Sequence, residues 1–407
     1  MPSPIRHLTL HDVRRVVSEE VFAPSANGRV GIELEWITSS PGRANTAADP
    51  DLLASLLPDP LPGGSRVTFE PGGQLELSGP ALPDLAAACD AMASDVHAAR
   101  TALESGEVEL LGIGLDPRGS QRRRVVDLPR YRAMEQYFDT RWPAGRTMMR
   151  STAAIQVNLD LGTAPDIDRR WQRAHDLGPT LAAAFANSPF DANGRPTGWR
   201  SSRLAVWEAI DPCRTAPAHL PGLSAVAAWE RFVLRAPVMM IRVDDERSVA
   251  LRGDVSFRQW IEEGHELGWP TLDDLRYHFT TLFPPVRPRG WLELRMIDSL
   301  PDEWWPVAIA VTTALLDDEH AADIAAAAVG PVRDHWTAAA RLGLADPALL
   351  RAAQQCFAAA LEALPRLNAG ARTIAATERF IDRYVARGRC PADERLLELA
   401  TLRTASA

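Results

Sequence analysis

The stretch Gly31-Ile32-Glu33-Leu34-Glu35-Trp36 alternates in polarity. On an extended strand Ile32, Leu34 and Trp36 face one way, and Glu33 and Glu35 the other. Carboxylates side by side repel unless something positive lies between them, and a metal ion is the simplest remedy. Alone, such a pattern more often marks a solvated edge strand. Here it recurs. In Val67–Ser78 a tight Pro71-Gly72-Gly73 turn joins two extended pieces; Glu70 precedes the turn, and Gln74, Glu76 and Ser78 share a face beyond it. In Ala153–Asp160 the residues Gln156, Asn158 and Asp160 alternate with Ile155, Val157 and Leu159. Amides can bind a metal or orient a substrate without adding charge, which makes Gln156 and Asn158 candidate cofactor contacts. In Trp291–Asp298, Glu293 and Arg295 oppose Leu292, Leu294 and Met296. That pair is either a surface ion pair or a ligand beside a cation that meets developing negative charge. Hard oxygen donors of this kind suit magnesium.

A second chemistry lies between residues 185 and 215, where a Pro/Gly-rich loop intersperses arginines with aromatics. Guanidinium forks match carboxylates and phosphates, and ring faces match an aliphatic stem. Arg203 and Arg214 here, with Arg150 before the Gln156 strand, are candidates for substrate or phosphate oxygens. Trp199 and Trp207 are candidates for the substrate pocket.

Composition narrows the function. The 407 residues carry a formal charge of -9 and no long basic block, so nucleic acid is not the expected ligand. Cys89, Cys213, Cys356 and Cys390 are widely spaced without C-x-x-C, which argues against a disulfide framework or zinc knuckle. No stretch is long and apolar enough to span a bilayer, and cytoplasmic residence is the expectation.

Positioning these residues takes strands at Val30–Thr38, on both sides of the Pro-Gly-Gly turn, at Glu109–Leu115, at 153–160, at Val238–Val243 and at 291–298. Helices are expected around His11–Phe22, Asp51–Leu57, 82–105, Tyr131–Phe138, Asp168–Phe185 with a break at Gly178-Pro179, Leu223–Leu234, after a Ser256 cap, and at Thr271–Phe283. A turn is expected at Asn27-Gly28, and Arg122-Arg123-Arg124 reads as a solvated loop. Gly112 and Gly114 imply close approach of another group. Without a convincing linker or repeat, residues 1–407 read as one catalytic unit, sheet-forming mainly over 28–300 and helical over 301–407.

The run Phe69-Glu70-Pro71-Gly72-Gly73-Gln74-Leu75-Glu76-Leu77-Ser78-Gly79 resembles the glutamate–cysteine ligases of the plant and proteobacterial type. The resemblance continues through Gly112-Ile113-Gly114, Gln156-Val157-Asn158-Leu159-Asp160, Phe185-Ala186-Asn187-Ser188-Pro189-Phe190, Thr271-Leu272 with His278, and Leu292-Glu293-Leu294-Arg295. It implies an α+β fold, a glutamine-synthetase-like curved antiparallel sheet that forms the active-site cleft and is backed by helices. It also implies ATP-dependent joining of the L-glutamate gamma-carboxylate to the L-cysteine amine, feeding ergothioneine synthesis in the branch this chain most resembles. On that pattern Glu33, Glu35, Glu70, Glu76, Gln156 and Glu293 are magnesium ligands, and Arg295 stands beside the transferred phosphoryl. The expected partners are L-glutamate, L-cysteine and ATP. The oligomeric state is open, a monomer being compatible. Two rival readings are a ligase of this fold with another amine acceptor and a non-catalytic metal or amino-acid binding protein.

Overall fold

The alternating stretches meet in one antiparallel sheet. The computed structural model describes residues 7–405 except 27, 41, 44, 119–122 and 245, with side chains to residue 401. Asn27 of the expected turn and Arg122 of the arginine run lie outside the described residues. The strands are β1 (Val30–Ser39), β2 (Arg66–Phe69), β3 (Leu75–Ser78), β4 (Glu109–Leu111), β5 (Ala154–Asp160), β6 (Met240–Arg242), β7 (Ser248–Ala250), β8 (Val286–Pro288) and β9 (Trp291–Asp298). Their order is β2-β3-β1-β5-β9-β8, with β4 also on β1, and β6 and β7 form a separate ribbon. Ile32, Leu34, Trp36, Leu75, Leu77, Ile155, Val157, Leu159, Leu292 and Leu294 are all buried. Slipping any one of these strands by one residue would drive its acids or amides into that core, so the apolar face sets the register.

Helices Leu85–Glu104, Ile167–Ala184 and Trp305–Asp317 pack against β1, β9 and β5 respectively. The first buries Leu85, Cys89, Met92 and Val96, while Ala93 of the expected apolar stripe is exposed. Ser256 caps its helix in a reciprocal box with Gln259. From residue 305 onward the chain is helical, as expected, and the fold is α+β.

Several boundaries differ from the expectation. The helix Ile167–Ala184 runs straight through Gly178-Pro179. A Cβ on Gly178 would lie 2.1 Å from the Trp336 ring, so the glycine serves ring-to-backbone packing, and burial around the helix outweighs the proline's lost hydrogen bond. The strand from Glu109 ends at Leu111, short of Leu115; beyond it a Cβ on Gly112 would lie 2.1 Å from the Leu300 carbonyl oxygen, and one on Gly114 2.4 Å from the Asp298 carboxyl carbon. These are the close approaches the two glycines imply. A helix at Ala144–Ser151, absent from the expected elements, precedes β5, and the helix from Leu272 ends at Phe279. Among the described residues no helix is long and apolar enough to cross a membrane.

Candidate active site

Strand pairing builds the site in rows. Thr68 pairs with Glu76, and Glu76 with Glu35. Ser78 pairs with Glu33, and Glu33 with Gln156. Asn158 pairs with Glu293, and Glu293 with Arg287. Directly paired residues share a sheet face, so one polar surface carries four carboxylates, two amides and an arginine. From this surface Glu33, Glu35, Glu76, Gln156 and Arg287 line a cleft of about 550 Å³ together with Glu70, Arg66, Arg130, Tyr131, Arg289 and Arg295, whereas Asn158 and Glu293 lie outside its lining.

A bulge aims Arg295. Between the pairs Ile155–Ile297 and Val157–Leu294, two residues of β5 span three of β9. The extra residue falls at Arg295-Met296, opposite Gln156. Bulges re-aim side chains in this way. Arg295 Nη1 donates to Glu293 Oε2 at 3.0 Å and to the Gln156 amide oxygen, while its Nε is buried without a partner.

The acids fall into two electrostatic classes. Glu293 is fully buried and accepts from Arg287, Arg289 and Arg295. Burial alone would raise its pKa, but the three guanidiniums outweigh burial and hold it well below the ordinary carboxylate range. The others lack such neutralisation. Burial, then Glu293 and Glu76, raise Glu33 to about 7. Burial and Glu76 raise Glu35 to about 7, and burial with Glu76 and Glu35 raises Glu70 to about 8. Meanwhile Glu35 accepts from Gln156 Nε2 at 3.0 Å and from the Ala154 N–H at 2.8 Å; Glu33 accepts from Asn158 Nδ2 at 3.0 Å. Glu76 accepts from Thr68 and Ser78 hydroxyls at 2.6 and 2.9 Å.

These groups fit a hard divalent cation by donor type and by their shortage of positive charge. Among the described residues no group of three His, Cys, Asp or Glu side chains is set as a preformed cage. Magnesium in phosphate-binding sites needs only one or two carboxylates, since waters and phosphate oxygens complete its shell.

Other candidates stand elsewhere. Arg203 is buried; its Nη2 donates to the Arg295 carbonyl at 2.7 Å and its Nη1 lies 3.5 Å from Asp298. Arg203 lines a smaller pocket of about 270 Å³, to which Trp207, Phe283 and Arg295 also belong; these last three line the main cleft as well. Arg150 does not line the cleft and pairs with Glu135 at 2.7 Å. Arg214 is wholly buried away from the cleft, bound to Asp211, to Thr281 and to the Pro237 carbonyl, with its guanidinium 4.9 Å from the Tyr137 ring. Desolvation explains that placement: a core arginine persists only where acceptors surround it. Trp199 lines neither pocket.

The Asn187-Ser188-Pro189 motif proves architectural. Asn187 N–H and the Ser188 and Ser201 hydroxyls donate to Asp298 at 2.8, 2.7 and 2.9 Å, and Asn187 Nδ2 donates to Gly112 and Ser299 carbonyls. His278 is likewise internal, stacked on Phe257 with its Nε2 3.1 Å from the Val233 carbonyl oxygen. Sequence reasoning missed Arg130, Arg287 and Arg289. Arg287 and Arg289 precede the Glu293 strand at alternate positions, a signal legible only once β8 and β9 are known to form a hairpin. Arg130, flanked by the Tyr131 and Tyr277 rings at 5.6 and 5.8 Å, has no local signature.

An antiparallel sheet with an acid- and arginine-lined polar face, backed by helices, defines an α+β cleft protein of ligase architecture. The fold is shared with the crystal structure of glutamate–cysteine ligase from Francisella tularensis in complex with AMP. That match has a TM-score of 0.55 and 13% identity, covering 93% of this chain and 86% of the other. The chain belongs to glutamate–cysteine ligase family 2 (GCS2), which it matches over residues 29–404. It is 43% identical to glutamate–cysteine ligase EgtA of Mycobacterium tuberculosis over 382 residues, 90% of this chain and 85% of the relative. Against EgtA of Mycolicibacterium smegmatis it is 42% identical over 380 residues, 89% and 88% of the two chains.

Proposed function

We propose that this protein is a glutamate–cysteine ligase that uses ATP to join the glutamate gamma-carboxylate to the cysteine amine, releasing ADP and phosphate, with gamma-glutamylcysteine destined for ergothioneine synthesis. The observation that carries this reading is the row arrangement that gathers Glu33, Glu35, Glu76 and Glu293 on one sheet face with Arg295 among them.

A carboxylate oxygen leaves poorly, so the gamma-carboxylate first attacks the ATP gamma-phosphorus and ADP departs. The cysteine amine then attacks the acyl carbon of the glutamyl phosphate, the C–O bond to phosphate breaks, and the amine loses a proton. Glu33, Glu35, Glu70 and Glu76, with the Gln156 amide oxygen, would hold magnesium, while Glu293, also expected as a ligand, is neutralised by Arg287, Arg289 and Arg295. When bound, magnesium screens the charge of the phosphate oxygens. Bonds from Nη1 to Glu293 and Gln156 preorganise the Arg295 guanidinium, whose Nε–H has no partner. That preorganised donor suits charge gathering on the transferring phosphoryl. Asn158 orients Glu33, and Trp291 fixes Asn158 by an indole N–H bond of 3.1 Å to its Oδ1. Arg203, beside Arg295 in the adjoining pocket, is the arginine retained for a substrate carboxylate, with Trp207 as the neighbouring wall. Arg150, Arg214 and Trp199 have no part in this scheme.

The test is ADP release with ATP, magnesium and glutamate, with and without cysteine, followed by product mass. A cysteine-dependent gamma-linked dipeptide supports the proposal. Preference for a different amine would assign another acceptor, and absence of any nucleotide turnover would leave a binding protein.

A further inference from the structure

The helix Ile167–Ala184 carries a second set of polar groups, facing a cavity of about 920 Å³ that shares no lining residue with the acidic cleft. His175 is 4% exposed, and its Nδ1 lies 2.9 Å from the Trp171 carbonyl oxygen. A carbonyl only accepts, so Nδ1 carries the proton. Nε2 is buried with no hydrogen-bond partner. A charged ring would bury a second N–H without an acceptor; the neutral ring leaves Nε2 as a bare lone pair. His219, on the segment joining helices Pro212–Thr215 and Ala225–Arg235, lines the same cavity, and its Nδ1 is also buried and unpartnered. The two ring centroids are 5.6 Å apart at an interplanar angle of 40°.

Orphaned polar atoms in a buried setting call for a missing partner. An imidazole whose one nitrogen donates to a backbone carbonyl while the other offers a lone pair is how metal-binding histidines are oriented. The spacing agrees. Metal–nitrogen bonds of about 2.0–2.1 Å place each ring centroid about 3.2 Å from a shared ion, so two imidazoles at tetrahedral to trigonal angles lie about 5.2–5.5 Å apart. We propose that His175 and His219 form a binding site for a divalent transition metal of the zinc class, separate from the acidic cleft. Imidazole donors favour such ions over magnesium or calcium. Asp168, Asp176 and Asp334 line the same cavity and favour cation entry against Arg169 and Arg333. With two protein ligands, waters complete the shell. Pro217 and Trp336 line both this cavity and the pocket at Arg203, so a bound ion braces the wall between them.

The test uses the full-length, metal-free protein held in saturating magnesium, which occupies oxygen-donor sites. Zinc is titrated by calorimetry, and copper(II) reports its ligands by electron paramagnetic resonance. The expected result is one equivalent of zinc, and a copper signal split by two imidazole nitrogens. His219→Gln is expected to weaken zinc binding tenfold or more and to lose that splitting, with the metal-free melting temperature unchanged. If the variant misfolds, zinc protection of His219 from diethylpyrocarbonate in the wild-type protein gives the answer instead. Absence of zinc binding under magnesium, equal binding in a folded His219→Gln protein, a copper signal from oxygen donors alone, or unprotected His219 would each overturn the proposal.

Discussion

Arg295 is held by Glu293 and Gln156, yet Glu293 keeps Arg287 and Arg289 when Arg295 is removed. The two roles of Arg295 therefore separate. Arg295→Ala is expected to cut turnover at saturating substrates by about 10²–10³, the scale for one preorganised donor, while the protein still unfolds cooperatively. Lysine restores only part, lacking the fork. Turnover at saturating ATP, glutamate and cysteine, with thermal unfolding alongside, checks this; near-normal turnover in a folded alanine variant assigns Arg295 to architecture alone. The acids yield a pH prediction. Glu33, Glu35 and Glu70 have folded pKa values of about 7, 7 and 8, raised from an unfolded value near ~4.3. A raised carboxyl contributes stability below its unfolded pKa and loses it as pH rises through the folded value. The buried His175 and His278, lowered by burial to about 3, act oppositely below ~6.5. Between pH ~6.5 and ~8.5 the acids therefore dominate these terms: the metal-free protein loses stability, and the melting-temperature gain from magnesium with ATP grows. Glu70→Gln should flatten both trends in thermal scans, and an unchanged slope would rule out Glu70 as their source.

At the scale of elements, the Pro71-Gly72-Gly73 turn docks the hairpin onto the end of helix Ala144–Ser151. A Cβ on Gly72 would lie 2.0 Å from the Arg150 carbonyl oxygen, and Gly73 has φ +82°. Neither backbone can yield without shifting Glu70, whose main chain closes the turn through bonds to Gln74 and Gly73. Gly72→Ala is expected to cost about 1–3 kcal/mol of stability, the range for overpacking, and to raise the KM for magnesium-ATP. Denaturant unfolding and initial-rate kinetics measure the two effects. A stability loss with an unaltered KM would separate the turn from nucleotide binding.

At the scale of the molecule, the last helix, Pro391–Ala405, reaches back to the sheet. Arg395 donates to Asn187 Oδ1 at 2.6 Å and to the Gly112 carbonyl at 2.8 Å. Asn187 in turn bonds Asp298 at the end of β9, so the C-terminal helices secure the strand that carries Glu293 and Arg295. Arg395→Ala leaves two buried acceptors short of a charged donor. It is expected to cost about 1–3 kcal/mol and to lower turnover without abolishing it. Chemical denaturation with a parallel rate measurement tests this; full stability in the variant would mean the tail merely rests on the sheet.

The alternation of Glu33 and Glu35 with Ile32, Leu34 and Trp36 was enough, from sequence, to assign strand, face and acidic character, because a period of two leaves one packing solution. The same held for the Gln156, Glu76 and Glu293 strands and for the Ser256 cap. Those features are local: neighbouring covalent geometry and the burial of one apolar face determine them. Which strands adjoin, and hence that Glu35 meets Glu76 while Asn158 meets Glu293, depends on contacts between residues far apart in the chain. Arg203 and Arg214 illustrate the limit. Both sit in the same arginine-rich stretch, yet Arg203 borders Arg295 in a pocket while Arg214 is consumed by Asp211, Thr281 and the Pro237 carbonyl. A guanidinium's role is set by which acceptors surround it after folding, and no local pattern records that. The bulge at Arg295-Met296 is similar, since its extra residue exists only relative to the pairing of β5 with β9. Composition and periodicity alone therefore determined the acid-bearing strands and their acids, though not β7 or β8, while packing decided which arginines remain available to a substrate.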